Sequence, residues 1–209
     1  MRPPAPPPVR LRETPSQTAG PYVHLGLLPD VAGLDRGPAP LAATPAAPTV
    51  PGERIRIEGS VIDGTGAPLR DAVIEIWQAD AAGIHPHPDD PRHAAVAPGF
   101  RGWGRVAADP ETGVWRLETV KPGPVPTRDG RAMAPHVAVW IVARGINQGL
   151  ATRMYFADED NAADPLLERI DPPGRRATLL APRTIHAGLP VYRFDIRLQG
   201  PDETVFLDI

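Results

Sequence analysis

From Arg54 onward the sequence keeps returning to a period of two, and glycine or proline soon interrupts each run. RIRIEGSVID (54–63) sets Ile55, Ile57 and Val61 among polar neighbours, and YRFDIRL (192–198) sets Tyr192, Phe194, Ile196 and Leu198 against Arg193, Asp195 and Arg197. Period two sends alternate side chains to opposite faces of a strand, so each run has an apolar face that must be buried. DAVIEIWQAD (71–80), VWRLETV (114–120), HVAVWIVAR (136–144) and TRMYF (152–156) are further strands on this reading, and TVFLDI closes the chain. DGTGAP (63–68) is a turn cluster, and DPLLERI (164–170) suits a short helix. Short strands between Gly/Pro turns predict an all-β sandwich of mainly antiparallel strands with few short helices. The 29 prolines lack collagen periodicity and belong in loops, extended arms and strand boundaries.

Three segments follow. Residues 1–12 are proline-rich and expected to be disordered, residues 13–53 form an arm and linker, and residues 54–209 form the sandwich domain. In ETPSQTAGPYVHLGL (13–27), Pro15, Gly20 and Pro21 forbid a long helix, yet Tyr22, Val23, Leu25 and Leu27 are apolar, which suits an arm lying on another surface. The absence of cysteine excludes disulfides and thiolate metal sites. Acidic residues outnumber basic ones by 25 to 22 and no basic run interleaves with aromatics, which argues against nucleic acid. MRPPAPPPVR has no apolar signal core, and the longest aliphatic run, Val137 to Ala143, is too short to span a bilayer, so the cytosol is the expected location.

The chemistry-bearing residues are few. GIHPHPDDPRH carries His85, His87 and His93 beside Asp89 and Asp90, a donor set that suits a divalent metal. Pro86 and Pro88 prevent regular same-face geometry, which favours a polar surface loop, with the metal site left as the alternative. DGTG lacks the following helix of a phosphate cradle, and Ser16, Ser60 and His24 form no nucleophile elbow or triad pattern. In MAPHVAVW (133–140), His136 and Ala138 share one face of a strand. Two histidines so placed would aim at one metal; here the second position is alanine.

Three long stretches, GSVIDGTGAPLRDAVIEIWQADAAG (59–83), LETVKPGPVP (117–126) and MAPHVAVWIVARG (133–145), resemble the core of the intradiol ring-cleavage dioxygenases. ETPSQTAGPYVH near the start, ARGIN (143–147) and the ending YRFDIRLQGPDETVFLDI resemble the α chains of two-chain members of that family, so the likeness covers about residues 13–209. The resemblance implies a non-haem Fe(III) held in the catalytic chain by two tyrosines and two histidines. Carried onto this sequence, the position eight residues after Trp77 is His85, the tyrosine of a KPGPYP motif is Val125, and the H-x-H pair is His136 and Ala138. The arginine expected three residues before the first histidine is Met133. These are vestigial ligand positions, and the resemblance implies that this chain binds no iron.

It implies instead that Fe(III) is held by a homologous catalytic β chain, with αβ protomers in a larger oligomer. Protocatechuate (3,4-dihydroxybenzoate) and O2 would be the substrates, and cleavage between the hydroxyl-bearing carbons would give 3-carboxy-cis,cis-muconate in aromatic catabolism. On matching positions, Thr18, Gly20, Pro21 and Tyr22 would approach the partner's cavity and Arg144 its substrate entrance, where a guanidinium can pair with the substrate carboxylate. Two other readings stay open: an independent metal enzyme built on His85, His87, His93 and His136, and a non-enzymatic β-sandwich binding module.

Overall fold

The computed structural model describes residues 18–20, 22–34, 44–127 and 129–208. The proline-rich start and Pro21 lie outside the described residues. The strands are β1 (Arg54–Ile62), β2 (Val73–Trp77), β3 (Trp103–Ala107), β4 (Val114–Val120), β5 (Val125–Pro126), β6 (Ala132–Met133), β7 (His136–Val142), β8 (Leu150–Phe156), β9 (Leu180–Ala181), β10 (Arg183–His186), β11 (Leu189–Arg193) and β12 (Ile196–Arg197). Two short α-helices accompany them, α1 (Val23–Leu27) and α2 (Pro165–Glu168).

β1 is the spine of the first sheet. It pairs antiparallel with β4 along one edge and parallel with β11 and β12 along the other, and β10 extends the sheet beyond β11. The second sheet has the order β3-β2-β7-β8-β9, antiparallel except for the β8–β9 pair. Between the sheets Ile55, Ile57, Trp115 and Tyr192 meet Ile74, Ile76, Val137, Val139, Ile141, Met154 and Phe156. These are the alternate positions that the period-two reading assigns inward. Burying such side chains, at roughly 1.5–3 kcal/mol each, is the main force holding the two layers together.

The YRFDIRL run is interrupted. Its ladder with β1 resumes after Phe194 and Asp195 in the same register, because Asp195 Oδ1 accepts the Ser60 N–H at 2.9 Å in place of a backbone carbonyl. Among the described residues of TVFLDI there is no strand, and Leu207 makes an isolated bridge to Ala151. β3, flanked by Gly102 and containing Gly104, is a strand that the sequence pattern did not single out.

Two features fix the ends of the sandwich. Asp63 accepts hydrogen bonds from the backbone N–H groups of Thr65 and Ala67, which closes the DGTGAP turn as expected of an Asx turn. The arm returns across the far end of β7: Ala19 bridges Arg144 in parallel, and Gly145 N–H donates to Thr18 Oγ1 at 3.0 Å. No helix among the described residues is long and apolar enough to cross a membrane.

Candidate functional site

The outer face of the second sheet carries His136 and Ala138, two of the four positions that the resemblance matches to metal ligands. β7 turns Val137 and Val139 into the core, so His136 and Ala138 point outward on a common face, and the antiparallel register sets Tyr155 opposite His136 and Arg153 opposite Ala138. Trp77 of β2 pairs with Ala138 on its other side. In the β5–β6 hairpin Val125 is opposite Met133. The strand pairing thus gathers into one region residues that are up to 78 positions apart in sequence, Trp77 and Tyr155.

Buried polar groups hold the flanking loops in place. Gln78 Nε2 donates to Val120 O at 2.9 Å while Thr119 Oγ1 donates to Gln78 Oε1, tying the segment after β2 to the end of β4. Asp80 O accepts the N–H groups of both Gly83 and Gly123. The turn preceding His85 and the KPGPVP segment are therefore clamped to each other. His85 stacks on Trp77, with ring centroids 5.7 Å apart and planes 14° apart. Trp77, His85, Asp90, Arg92, Val125 and Thr127 line an open cleft of about 640 Å³ over this region.

The histidine-rich loop does not converge on a metal. His87 Nδ1 accepts the Asp89 N–H, His93 Nδ1 lies 2.9 Å from Asp90 O, and His85 is stacked against tryptophan, so each ring serves its own turn. Asp90 is engaged by both Arg92 and the His85 N–H, and these bonds hold its carboxyl well below the usual carboxylate range. Among the described residues no group of three or more His, Cys, Asp or Glu is placed to hold a metal ion.

His136 is buried, and its Nδ1–H donates to Ala134 O at 2.8 Å. Ala134 N–H donates to Asp164 Oδ2, and Asp164 Oδ1 accepts from Tyr155 Oη and from the N–H groups of Leu166 and Leu167. Burial and the nearby Asp164 charge push the Tyr155 phenol above its ordinary value, so it is held protonated as a donor. Arg153 reaches across the face, its Nη1 3.4 Å from Met133 Sδ. The donor set does not suit Fe(III): two imidazoles, no phenolate and a guanidinium in their midst leave a hard trivalent cation without anionic oxygen. Sequence reasoning missed Arg153, Tyr155 and Asp164; the alternation in TRMYF puts the first two on one face, but only the pairing of β7 with β8 brings them to His136.

Burial and the Arg153 charge push His136 down from 6.5 to about 4. Because the folded state refuses a proton that the unfolded chain accepts, this group's contribution to stability is complete above about pH 6.5. It is lost as pH falls toward 4, by about 3 kcal/mol. Urea midpoints at pH 7.5 and 4.5 check this: His136→Gln is expected to flatten the difference, and an unchanged slope would contradict it.

Arg144 sits beyond the other end of β7, about 25 Å along the strand from His136 at ~3.3 Å per residue. Its Nε lies 3.2 Å from Asp71 Oδ2, and its side chain is 66% exposed. Thr18 and Gly20 lie close by through the Ala19–Arg144 bridge, so the structure does bring the arm and the ARG stretch together. Tyr22 is 72% exposed, beside exposed Leu25 and Val31. The five-residue α1 buries none of its own side chains, and Arg105 Nη1 holds its last carbonyl at Leu27.

Two packed sheets of mainly antiparallel strands define the fold class. A family model described as dioxygenase matches residues 35–200, and the chain belongs to this family, the intradiol ring-cleavage dioxygenases. It is 47% identical over 200 residues to the protocatechuate 3,4-dioxygenase alpha chain of Pseudomonas putida, covering 95% of this chain and 97% of that one. To the protocatechuate 3,4-dioxygenase beta chain of Burkholderia cepacia it is 37% identical over 160 residues, covering 73% of this chain and 67% of the other. The solved catechol 1,2-dioxygenase from Pseudomonas arvilla C-1 shares the fold at a TM-score of 0.56 and 20% identity, over 82% of this chain and 63% of that chain.

Proposed function

We propose that this chain is the α subunit of a protocatechuate 3,4-dioxygenase, a cytosolic complex in which a homologous β subunit holds Fe(III) and cleaves protocatechuate with O2 to 3-carboxy-cis,cis-muconate. The observation that carries the reading is likeness to a named alpha chain over nearly the full length of both chains, and it is supported by His85 and Val125 standing where the resemblance implies tyrosines. Weaker likeness to a beta chain supports a partner of the same ancestry.

The chain's contribution is positional. Thr18, Gly20, Pro21, Tyr22 and Arg144 form part of the wall of the partner's cavity, and the exposed apolar side chains of Tyr22, Leu25 and Val31 supply contact area. The separation of this cluster from the chain's own ligand face supports service to another chain's site. Arg144 steers the substrate carboxylate, an interaction strengthened where water is excluded. When bound in the partner, Fe(III) supplies Lewis-acid and redox chemistry toward the catechol; the residues of this chain orient the ring and its carboxylate.

Iron content and protocatechuate-dependent oxygen uptake test the reading, first on this chain alone and then on the chain co-expressed with a β-type partner. Negligible iron and uptake alone, with both present in a co-purifying complex, is the expected result. Stoichiometric iron and turnover in the isolated chain would overturn it and favour the independent enzyme.

A further inference from the structure

The ligand face has not simply lost donors. Its centre holds a positive charge. Arg153 lies directly across the strand pair from Ala138, and the small alanine side chain leaves room above the sheet on that row. The guanidinium extends from there to Met133 Sδ, at 3.4 Å. Met133 is itself opposite Val125 and lies three residues before His136, so the guanidinium ends beside that hairpin, and its charge acts on both His85 and His136.

We propose that Arg153 acts as a built-in cation that replaces the metal in this fold, so that restoring donor side chains alone does not restore a metal site. A guanidinium stays protonated at any physiological pH, so the repulsion cannot be relieved by deprotonation. It also suits the remaining neighbours: a neutral buried imidazole and a protonated phenol, with Asp164 as the nearby buried anion, already engaged by four donors. Beside His85, the Asp90 carboxylate is committed to Arg92. The inference rests on the reading of this chain as the iron-free subunit and deepens it: the site is held closed to cations and is more than an eroded remnant.

The test uses the full chain carrying Val125→Tyr and Ala138→His, which adds a phenol and an imidazole to His85 and His136. Zn2+ is the probe, and its affinity is measured by calorimetry in three backgrounds: Arg153 retained, Arg153→Gln and Arg153→Lys. Two charges of the same sign a few ångströms apart at a half-buried site repel strongly, and Zn2+ is expected to bind at least tenfold more tightly with Arg153→Gln than with either cationic side chain. Equal affinity in all three, or an equal gain with Arg153→Lys and Arg153→Gln, would overturn the inference, because the charge would then not be what excludes the metal. Should the restored chain fail to fold, the same comparison is made in the natural sequence, where His85 and His136 remain as ligands and the same ordering is expected. Tight Zn2+ binding by the natural chain with Arg153 in place would overturn the inference, whereas loss of activity in the assembled complex would bear on the proposed function alone.

Discussion

Replacing Asp164 by alanine is expected to destabilise the chain by about 3–5 kcal/mol, the largest loss from any single polar group on the ligand face. Asp164 is buried, and its two oxygens accept four hydrogen bonds from three places: Ala134 before β7, Tyr155 on β8, and the first turn of α2. Alanine would leave the Tyr155 hydroxyl and the Ala134 N–H without acceptors in a region that excludes water, and would remove the helix cap as well. For a domain of this size each kcal/mol moves the melting midpoint by about 2–4 °C, so a drop on the order of 10 °C is expected by calorimetry. Asp164→Asn keeps one acceptor oxygen and should lose roughly half as much. A drop of about 1 °C for the alanine variant would mean that water replaces the carboxylate and that the network is not structural.

The scaffold was legible in the sequence where side-chain alternation was clean. β1, β4 and β7 follow the apolar alternation almost residue for residue, because a strand buried on one face has no other way to hide Ile55, Leu117 or Val139. β3 was not legible: glycine and arginine dilute its pattern, and it becomes a strand through its ladder with β2, a tertiary cause. The same division holds at the site. That His136 and Ala138 share a face follows from period two alone, whereas the meeting of Arg153, Met133 and Asp164 around them depends on the order of strands in the sheet. Asp164 in particular lies at the start of the short helix that DPLLERI suggests, and nothing local shows that its second oxygen accepts the Ala134 N–H 30 residues earlier. The parallel pairing of β1 with β11 and β12 was likewise invisible, since alternation does not encode strand direction.

Gly83→Ala is expected to be at least as damaging as the loss of Asp164, for a steric reason. Gly83 has φ 73°, in the left-handed region that glycine tolerates at no steric penalty. A Cβ added there would lie 1.9 Å from Pro124 O, a backbone atom that cannot swing aside as a side-chain tip could. Gly66→Ala is the natural control, because Gly66 also has positive φ (86°) but nothing within 4 Å of the added carbon. The control isolates the conformational cost, about 1 kcal/mol. Gly83→Ala carries that cost and must in addition separate the turn before His85 from the KPGPVP segment, breaking the paired hydrogen bonds that Asp80 O makes to both. A total loss of about 4 kcal/mol is expected, read as a lower urea midpoint. Because this contact joins the segments that bring His85 and Val125 to one cleft, surviving folded protein should also lose the stacking of His85 on Trp77, seen as a change in tryptophan emission. Equal midpoints for the two alanine variants would show that the two loops separate at little cost, and that their juxtaposition is not what shapes the cleft.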